Sequence, residues 1–223
     1  MSQDTLKLYA SLEAHSGWVT SLATCENNPE LLVSGSRDKT VVVWQITNRE
    51  TEYAFPKQSL VGHNHIVQDV TVSHDGLHVL SASWDKTLRL WNLADGSVSR
   101  FVGHTGDVMS CSFTPDNMLV ISGSRDKTIR IWNVIGNEMV KIDDQSSHSD
   151  WITSVRVCPT NEDKLLIISA GWDKLVKVSY SLVGDIRNDD RYICYLGPRG
   201  MIVKIFTKIA DLISLFHINK ILT

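Results

Sequence analysis

The chain has 223 residues and a formal net charge of −3, with 43% hydrophobic and 21% charged residues. This balance is typical of a soluble globular protein and excludes the overall basic excess of a general nucleic-acid binder. Four cysteines occur without a Cys-x-x-Cys pair or a nearby histidine cluster, which favours buried thiols in a reducing compartment over a zinc site. The N-terminal segment has no apolar core of signal-peptide length, so a cytosolic or nuclear location is expected.

An internal repeat dominates residues 1–178. An Asp-Lys pair recurs at intervals of 47, 41 and 47 residues, and a histidine precedes each pair. The pairs begin at Asp38, Asp85, Asp126 and Asp173, and the histidines are His15, His63, His104 and His148. The predicted repeats cover about residues 12–46, 60–93, 101–134 and 146–178. A period of this length is typical of stacked repeat architectures.

Each repeat contains short runs of β-branched and aromatic residues, which predict strands joined by tight Asp-Lys turns. A further strand per repeat is predicted over Trp18–Cys25, Val67–Ser73, Val108–Thr114 and Ile152–Cys158. One such unit buries little apolar surface by itself, whereas radial stacking of the sheets covers both faces of each. The sequence therefore predicts an all-β propeller with about four blades in residues 1–178.

Polar residues at fixed offsets predict a hydrogen-bonded relay within each repeat. The Asp accepts from backbone N–H groups and the His, the His bonds a Ser four residues before the Asp, and this Ser bonds a Trp six residues after it. The three complete sets are His15, Ser34, Asp38 and Trp44; His63, Ser81, Asp85 and Trp91; and His104, Ser122, Asp126 and Trp132. A catalytic triad needs one constellation in one pocket, whereas this one recurs, so a structural role is predicted.

The relay requires the His loops and the Asp turns to lie at the same edge of each sheet, so their neighbours decorate one face. Four tryptophans fall at these positions, and aromatic and arginine residues are typical of binding hot spots. The predicted partner-binding residues are Trp18, Trp84, Trp151 and Trp172.

Two of the turns carry doubled basic residues, which can hold RNA phosphates without reading bases. The predicted RNA-binding residues are Arg37, Lys39, Arg125 and Lys127. A second interpretation stays open, because a lysine follows the Asp in all four turns and this recurrence favours a role in turn geometry.

Residues 179–223 form a non-repeat tail, and three interpretations of it stay open. Apolar residues at helical spacing predict a helix that caps the sheet edge or lies on a membrane surface. These apolar positions are Ile202, Ile205, Ile209, Leu212, Ile213 and Phe216. The third interpretation is intron read-through, because Val178-Ser179 can be encoded by a splice-donor consensus. In that case the mature protein would continue into further blades.

The motifs SGSRDKT, GHNHIVQDV, SASWDKTLRLWNL and SAGWDKLVKV resemble the WD-repeat family. Within it they are most similar to the receptors for activated C kinase, the Gβ-like scaffolds of the small ribosomal subunit. The resemblance implies a seven-bladed propeller and identifies Arg37 and Lys39 as matches to a pair that contacts ribosomal RNA. It also implies contacts with ribosomal proteins, docking of protein kinases and translation factors in translational control, and a cytoplasmic location. Val61 stands where the family often has a basic residue.

The leading hypothesis is therefore a ribosome-associated scaffold without catalytic residues, cofactor, metal, small-molecule substrate or membrane contact. The alternative is a Gβ-like signalling subunit or a scaffold that is not bound to the ribosome. The first repeat marker at His15 leaves no room for the long N-terminal helix with which a Gβ subunit holds Gγ. A truncated product without a stable fold is a third interpretation.

Overall fold

The computed structural model describes residues 8, 10–47, 53–143, 147–158, 164–182 and 185–192, with backbone only for 164 and 180–192. These residues form sixteen strands in four antiparallel sheets, and this part of the chain contains no helix. Accordingly, none of it forms a helix of the length and apolarity that crossing a bilayer requires. The predicted all-β propeller fold is confirmed for these four blades.

The first two sheets are meanders in which each strand pairs with its neighbour in the chain. The first sheet contains β1 (Val19–Thr24), β2 (Leu31–Ser36), β3 (Thr40–Ile46) and β4 (Ala54–Val61). The second sheet contains β5 (Val67–Val72), β6 (His78–Ser83), β7 (Thr87–Asn92) and β8 (Val98–Val102).

The last two sheets repeat this topology. The third sheet contains β9 (Val108–Phe113), β10 (Leu119–Ser124), β11 (Ile129–Asn133) and β12 (Glu138–Ile142). The fourth sheet contains β13 (Ile152–Cys158), β14 (Lys164–Gly171), β15 (Val176–Leu182) and β16 (Asp185–Tyr192). The strands β1, β5, β9 and β13 contact one another from sheet to sheet and form the inner side of the array.

Apolar cores lie between consecutive sheets, because neighbouring sheets present β-branched and large apolar residues to each other. Between the first and second sheets, Val33 and Val43 pack with Val67, Val70 and Val79. The other two cores include Leu80, Leu88, Phe101, Val108 and Trp132, and then Ile121, Ile129, Ile131, Ile152 and Ile167. Three described cysteines, Cys25, Cys111 and Cys158, are buried free thiols, and Cys194 lies outside the described residues.

A glycine near the end of β2 and another near the end of β10 let the next sheet approach closely. A Cβ atom added to Gly35 would lie 2.8 Å from a methyl carbon of Val70. One added to Gly123 would lie 2.6 Å from methyl carbons of Ile152 and Val155. Glycine is therefore required by packing at these two positions, where the backbone of one sheet contacts the side chains of the next.

The repeats of the sequence and the sheets of the fold are offset by one strand. The strand before each His marker is the outer strand of the preceding sheet: β4 ends at Val61, whereas His63 and β5 belong to the second sheet. The same offset recurs at β8 and at β12. The predicted repeats 60–93 and 101–134 therefore begin at the ends of β4 and β8, and each contributes to two sheets.

The fourth sheet extends past residue 178, where the repeat region was predicted to end. Strand β15 continues to Leu182, and β16 pairs with it in an antiparallel arrangement. The predicted domain boundary at residue 178 thus falls inside β15. Where the repeat sequence ends and the tail begins stays a prediction. The predicted capping helix at 202–216 lies outside the described residues.

Candidate functional site

In the first three repeats, the four relay residues are joined by hydrogen bonds. In the second repeat His63 Nδ1 lies 2.8 Å from the Asp85 carboxylate, and its Nε2 lies 2.8 Å from Ser81 Oγ. The indole N–H of Trp91 donates to the same Ser81 Oγ at 2.8 Å. The same contacts join His15, Ser34, Asp38 and Trp44, and His104, Ser122, Asp126 and Trp132.

The relay includes a fifth residue that the sequence analysis missed. The hydroxyl group of the Thr two residues after the Asp donates to the carboxylate at 2.6 Å in the first three repeats. These residues are Thr40, Thr87 and Thr128. The recurring Asp-Lys-Thr triplet was the available signal, because a Thr at a turn commonly bonds a nearby acceptor.

The hydrogen bonds keep the turn carboxylates ionised. Burial opposes ionisation of Asp38, but donors from Thr40, His15 and the Ser16 N–H outweigh it and lower its pKa to about 2. Against the same opposition from burial, His63 and Thr87 hold the pKa of Asp85 well below its usual range. His104 and Thr128 do the same for Asp126.

The fourth repeat retains only part of the relay. His148 contacts Asp173 at 2.7 Å and Ser169 at 2.9 Å. Leu175 replaces the threonine, and Ser179 replaces the tryptophan. Burial lowers the pKa of His148 although the neighbouring Asp173 raises it, and the net lowering favours the neutral imidazole ring.

Burial argues for a structural role of these Ser-His-Asp sets. Ser81, Ser122 and Ser169 have no exposed surface, and Ser34 is only 2% exposed. In the tautomer that donates from Nδ1 to the Asp, the His Nε2 accepts from the Ser hydroxyl, and in the complete sets the Ser oxygen accepts from the indole. No substrate atom can reach such an oxygen without unfolding the strand. Within the described residues, no group of three or more His, Cys, Asp or Glu side chains is arranged to hold a metal ion.

The lysines after each Asp have left-handed backbone conformations. The φ angles are 72° at Lys39, 67° at Lys86, 71° at Lys127 and 67° at Lys174. This geometry supports the interpretation that the turn determines the conformation at this position. The four side chains are exposed at the same edge of the array.

Planar side chains from three sheets form a continuous stack on this edge. The ring centres of Trp172 and Trp151 lie 4.6 Å apart. The guanidinium carbon of Arg125 lies 4.5 Å from the centre of the Trp151 ring and 4.4 Å from that of the Trp84 ring. His65 stacks on Trp84 at 5.6 Å. We refer to His65, Trp84, Arg125, Trp151 and Trp172 as the aromatic stack. Three of the four predicted partner-binding tryptophans therefore come together.

Arg125 is held firmly within the aromatic stack. Its guanidinium also donates to Asp107 at 2.6 Å. Lys127 donates to the carbonyl of Ser149 at 2.8 Å. Because the guanidinium of Arg125 already makes these contacts, it is not free to bind a phosphate. RNA binding by Arg125 and Lys127 stays a prediction.

The first sheet presents a different arrangement. Arg37 and Lys39 are exposed, and the Arg37 guanidinium lies 4.5 Å from the centre of the Trp18 ring. Trp18 is 74% exposed and stacks on no other aromatic ring of the described residues. Trp18 therefore contacts the basic turn formed by Arg37, Asp38 and Lys39 and makes no ring contact with the other three tryptophans. That the four tryptophans together bind a partner stays a prediction.

A polar network that the sequence analysis also missed links all four sheets along the inner strands. The Asp69 carboxylate accepts from Ser21 and Ser110, each at 2.8 Å. Arg156 donates to Asp69 at 3.2 Å and to Ser110 at 2.9 Å. These residues fix the sheets relative to one another and hence fix the spacing of the turns at the exposed edge.

Comparisons with known proteins agree with this architecture. The family model for the WD domain, G-beta repeat, matches residues 6–45, 55–92, 96–133 and 140–178. "MST50-interacting protein 11" of Pyricularia oryzae is 61% identical over 176 residues, which cover 78% of this chain and 55% of that protein.

Two further relatives carry the name "Small ribosomal subunit protein RACK1". The Neurospora crassa protein is 57% identical over 175 residues, covering 78% of this chain and 55% of that protein. The Candida albicans protein is 60% identical over 162 residues, covering 72% of this chain and 50% of that protein. The chain thus spans about half the length of the curated relatives it matches, and the resemblance stated from its motifs is confirmed. Because four copies of the repeat model match most of its length, the chain belongs to the WD-repeat family.

Proposed function

We propose that this chain acts in the cytoplasm as a non-enzymatic, ribosome-associated WD scaffold. The observation that carries the proposal is its identity of 57% and 60% to two proteins named as small ribosomal subunit proteins. Its proposed partners are ribosomal RNA and ribosomal proteins of the small subunit, together with signalling kinases and translation factors.

The proposed RNA contact is the basic turn of the first sheet. Arg37 and Lys39 are both exposed and lie two residues apart in the same tight turn. Such a pair binds phosphate oxygens and gives affinity that falls as salt rises. Val61, where the family resemblance implies a basic residue, is 71% exposed and adds no charge.

The proposed docking surface for signalling proteins is the aromatic stack. Trp172 is 60% exposed at its end, and exposed tryptophans are frequent anchors of protein interfaces. The stack involves sheets two to four, whereas the basic turn belongs to the first sheet. A scaffold of this kind can bind RNA and a protein at the same time.

Co-sedimentation of the 223-residue chain with purified small subunits tests the RNA contact. Arg37→Asp combined with Lys39→Glu should release the chain from the subunits while its circular dichroism spectrum is retained. Lys86→Glu combined with Lys174→Glu is a charge-matched control at two other exposed turns, and it should sediment like wild type. Unchanged sedimentation of the first variant would refute the assignment and favour a scaffold or Gβ-like subunit that does not bind the ribosome.

Docking is tested separately with purified, activated protein kinase C. Trp172→Ala should weaken capture of the kinase, because it removes the exposed end of the stack. The same variant should co-sediment normally with small subunits. Equal capture by wild type and Trp172→Ala would remove the stack from the proposal and leave the RNA contact unaffected.

A further inference from the structure

Trp18 differs from the residues at the equivalent position of the other three repeats, three residues after the His. Ile66 is buried, and Asp107 forms an ion pair with Arg125. Trp151 lies between Arg125 and Trp172. Trp18 alone among these four is a large apolar side chain left 74% exposed.

Within the described residues, Arg37 packs on one face of the Trp18 ring. The guanidinium lies 4.5 Å from the ring centre, and the backbone N–H of Arg37 donates to the Trp18 carbonyl at 2.9 Å. These contacts hold the indole beside the basic turn. Since 74% of the residue is exposed, the opposite ring face is open to solvent.

An open aromatic face next to two exposed cations matches the chemistry of a single-stranded nucleotide. A base can stack on an aromatic ring while Arg or Lys side chains hold the adjacent phosphates. Phosphates of a duplex or an acidic protein segment would use the cations but would not need the indole. An exposed tryptophan otherwise loses the free energy that its burial would provide.

We propose that Trp18 is a base-stacking platform, so that the basic turn of the first sheet binds an unpaired nucleotide of RNA. This inference rests on the proposed RNA contact at Arg37 and Lys39 and specifies its ligand. Trp18 stacks the base, and the two cations bind the flanking phosphates.

The test measures the affinity of the 223-residue chain for two fluorescently labelled probes by anisotropy. One probe is a ten-nucleotide oligouridylate, chosen because its bases stack weakly on one another. The other is an abasic ribose-phosphate strand of the same length, which has the charge but no bases.

Trp18→Ala should weaken binding of the oligouridylate by about tenfold or more, as base–aromatic stacking implies. Its affinity for the abasic strand should stay within about twofold of wild type. Trp18→Phe keeps an aromatic face and should restore most of the loss. Trp172→Ala removes another exposed tryptophan, outside the basic turn, and should bind both probes like wild type.

Equal affinities of wild type and Trp18→Ala for the oligouridylate would overturn the inference, as would parallel losses on both probes. A variant that fails to fold is recognised by its circular dichroism melt, and the folded Trp18→Phe variant then decides. Arg37→Asp with Lys39→Glu separates the two proposals. If it leaves both probes bound, the RNA contact itself is wrong; if it releases both while Trp18→Ala binds normally, only the stacking inference fails.

Discussion

The turns of the first and third sheets share the sequence SGSRDKT, yet the structure gives their arginines different surroundings. The backbones are alike, with φ angles of 72° at Lys39 and 71° at Lys127. Arg125 is enclosed by Trp84, Trp151 and Asp107, whereas Arg37 contacts Trp18 alone among the aromatic rings that the structure describes. The difference comes from neighbouring sheets, since Trp84 belongs to the second sheet and Trp151 precedes the fourth. A local motif therefore determines the turn, and its neighbours determine whether the charge is available.

The largest expected effect concerns the hydrogen-bonded relay that stabilises both turns. Asp126→Ala removes the acceptor of His104, Thr128 and the Thr105 N–H, so we expect a loss of roughly 3 kcal/mol in the free energy of unfolding. Asp38→Ala should cost a similar or smaller amount, because its surroundings are less buried. Urea unfolding monitored by fluorescence measures both. Glu13→Ala, an exposed carboxylate, is the control, and an unshifted midpoint in Asp126→Ala would contradict the structural role of the relay.

The next effect distinguishes the two turns by pH. A carboxylate whose pKa is lowered by folding stabilises the fold above its unfolded pKa and loses this contribution as pH falls through its folded pKa. The stabilising contribution of Asp38 is therefore lost as the pH falls from 3.8 to about 2. The contribution of Asp126 is lost over a range that extends to lower pH, because its pKa is lowered further. The N–H resonance of Thr40, which donates to Asp38, should therefore shift at higher pH than that of Thr128. Simultaneous titration of both near pH 4 would show that neither carboxylate is held by its turn.

Removal of the arginines tests the contrast in their surroundings directly. Arg125→Ala breaks two cation–π contacts and an ion pair, and we expect it to lower the free energy of unfolding by about 1–3 kcal/mol. Arg37→Ala breaks a single exposed contact and should cost less than about 1 kcal/mol. Chemical denaturation of the two variants in parallel provides the comparison. Equal losses would mean that the aromatic stack holds Arg125 no more firmly than Trp18 holds Arg37.

The smallest effect is expected at the lysines. Lys127→Gly should stay within about 1 kcal/mol of wild type, since glycine adopts a positive φ without strain but has more freedom in the unfolded chain. Lys127→Val should be less stable than Lys127→Gly, because a β-branched residue is disfavoured there. At position 39, Lys39→Val should likewise be less stable than Lys39→Gly. A Lys39→Gly variant also removes the charge without straining the turn, so its ribosome binding reports on the charge alone.

The sequence predicted the features that lie within one repeat. The relay of His63, Ser81, Asp85 and Trp91 could be read from fixed offsets, because all four residues belong to one copy of the motif. Contacts between repeats could not be read in this way. Asp69 and Arg156 are separated by 87 positions, and no periodicity in the sequence indicates that they meet. The enclosure of Arg125 likewise depends on how closely three sheets approach, which residues such as Gly123 and Ile152 determine together.

The aromatic surface shows the same limit. Four tryptophans beside the relay were expected to share one face, but this expectation does not say which rings touch, because contact requires rings at compatible distances. Trp84, Trp151 and Trp172 meet because Arg125 fills the gap between two of them, whereas the Trp18 ring packs against Arg37. The division into a docking surface and a proposed nucleotide platform became evident only from the arrangement of the sheets.

The one-strand offset between repeats and sheets has a consequence for dissecting such proteins into fragments. A cut at the end of a repeat removes the outermost strand of the blade before it, leaving a three-stranded remnant with an unpaired edge. In this chain a deletion at residue 178 would divide β15 and remove β16 (Asp185–Tyr192) altogether. Chimeras and truncations of this chain should therefore be joined between sheets, for example just before His63 or His104, so that each piece keeps all four strands of its blades.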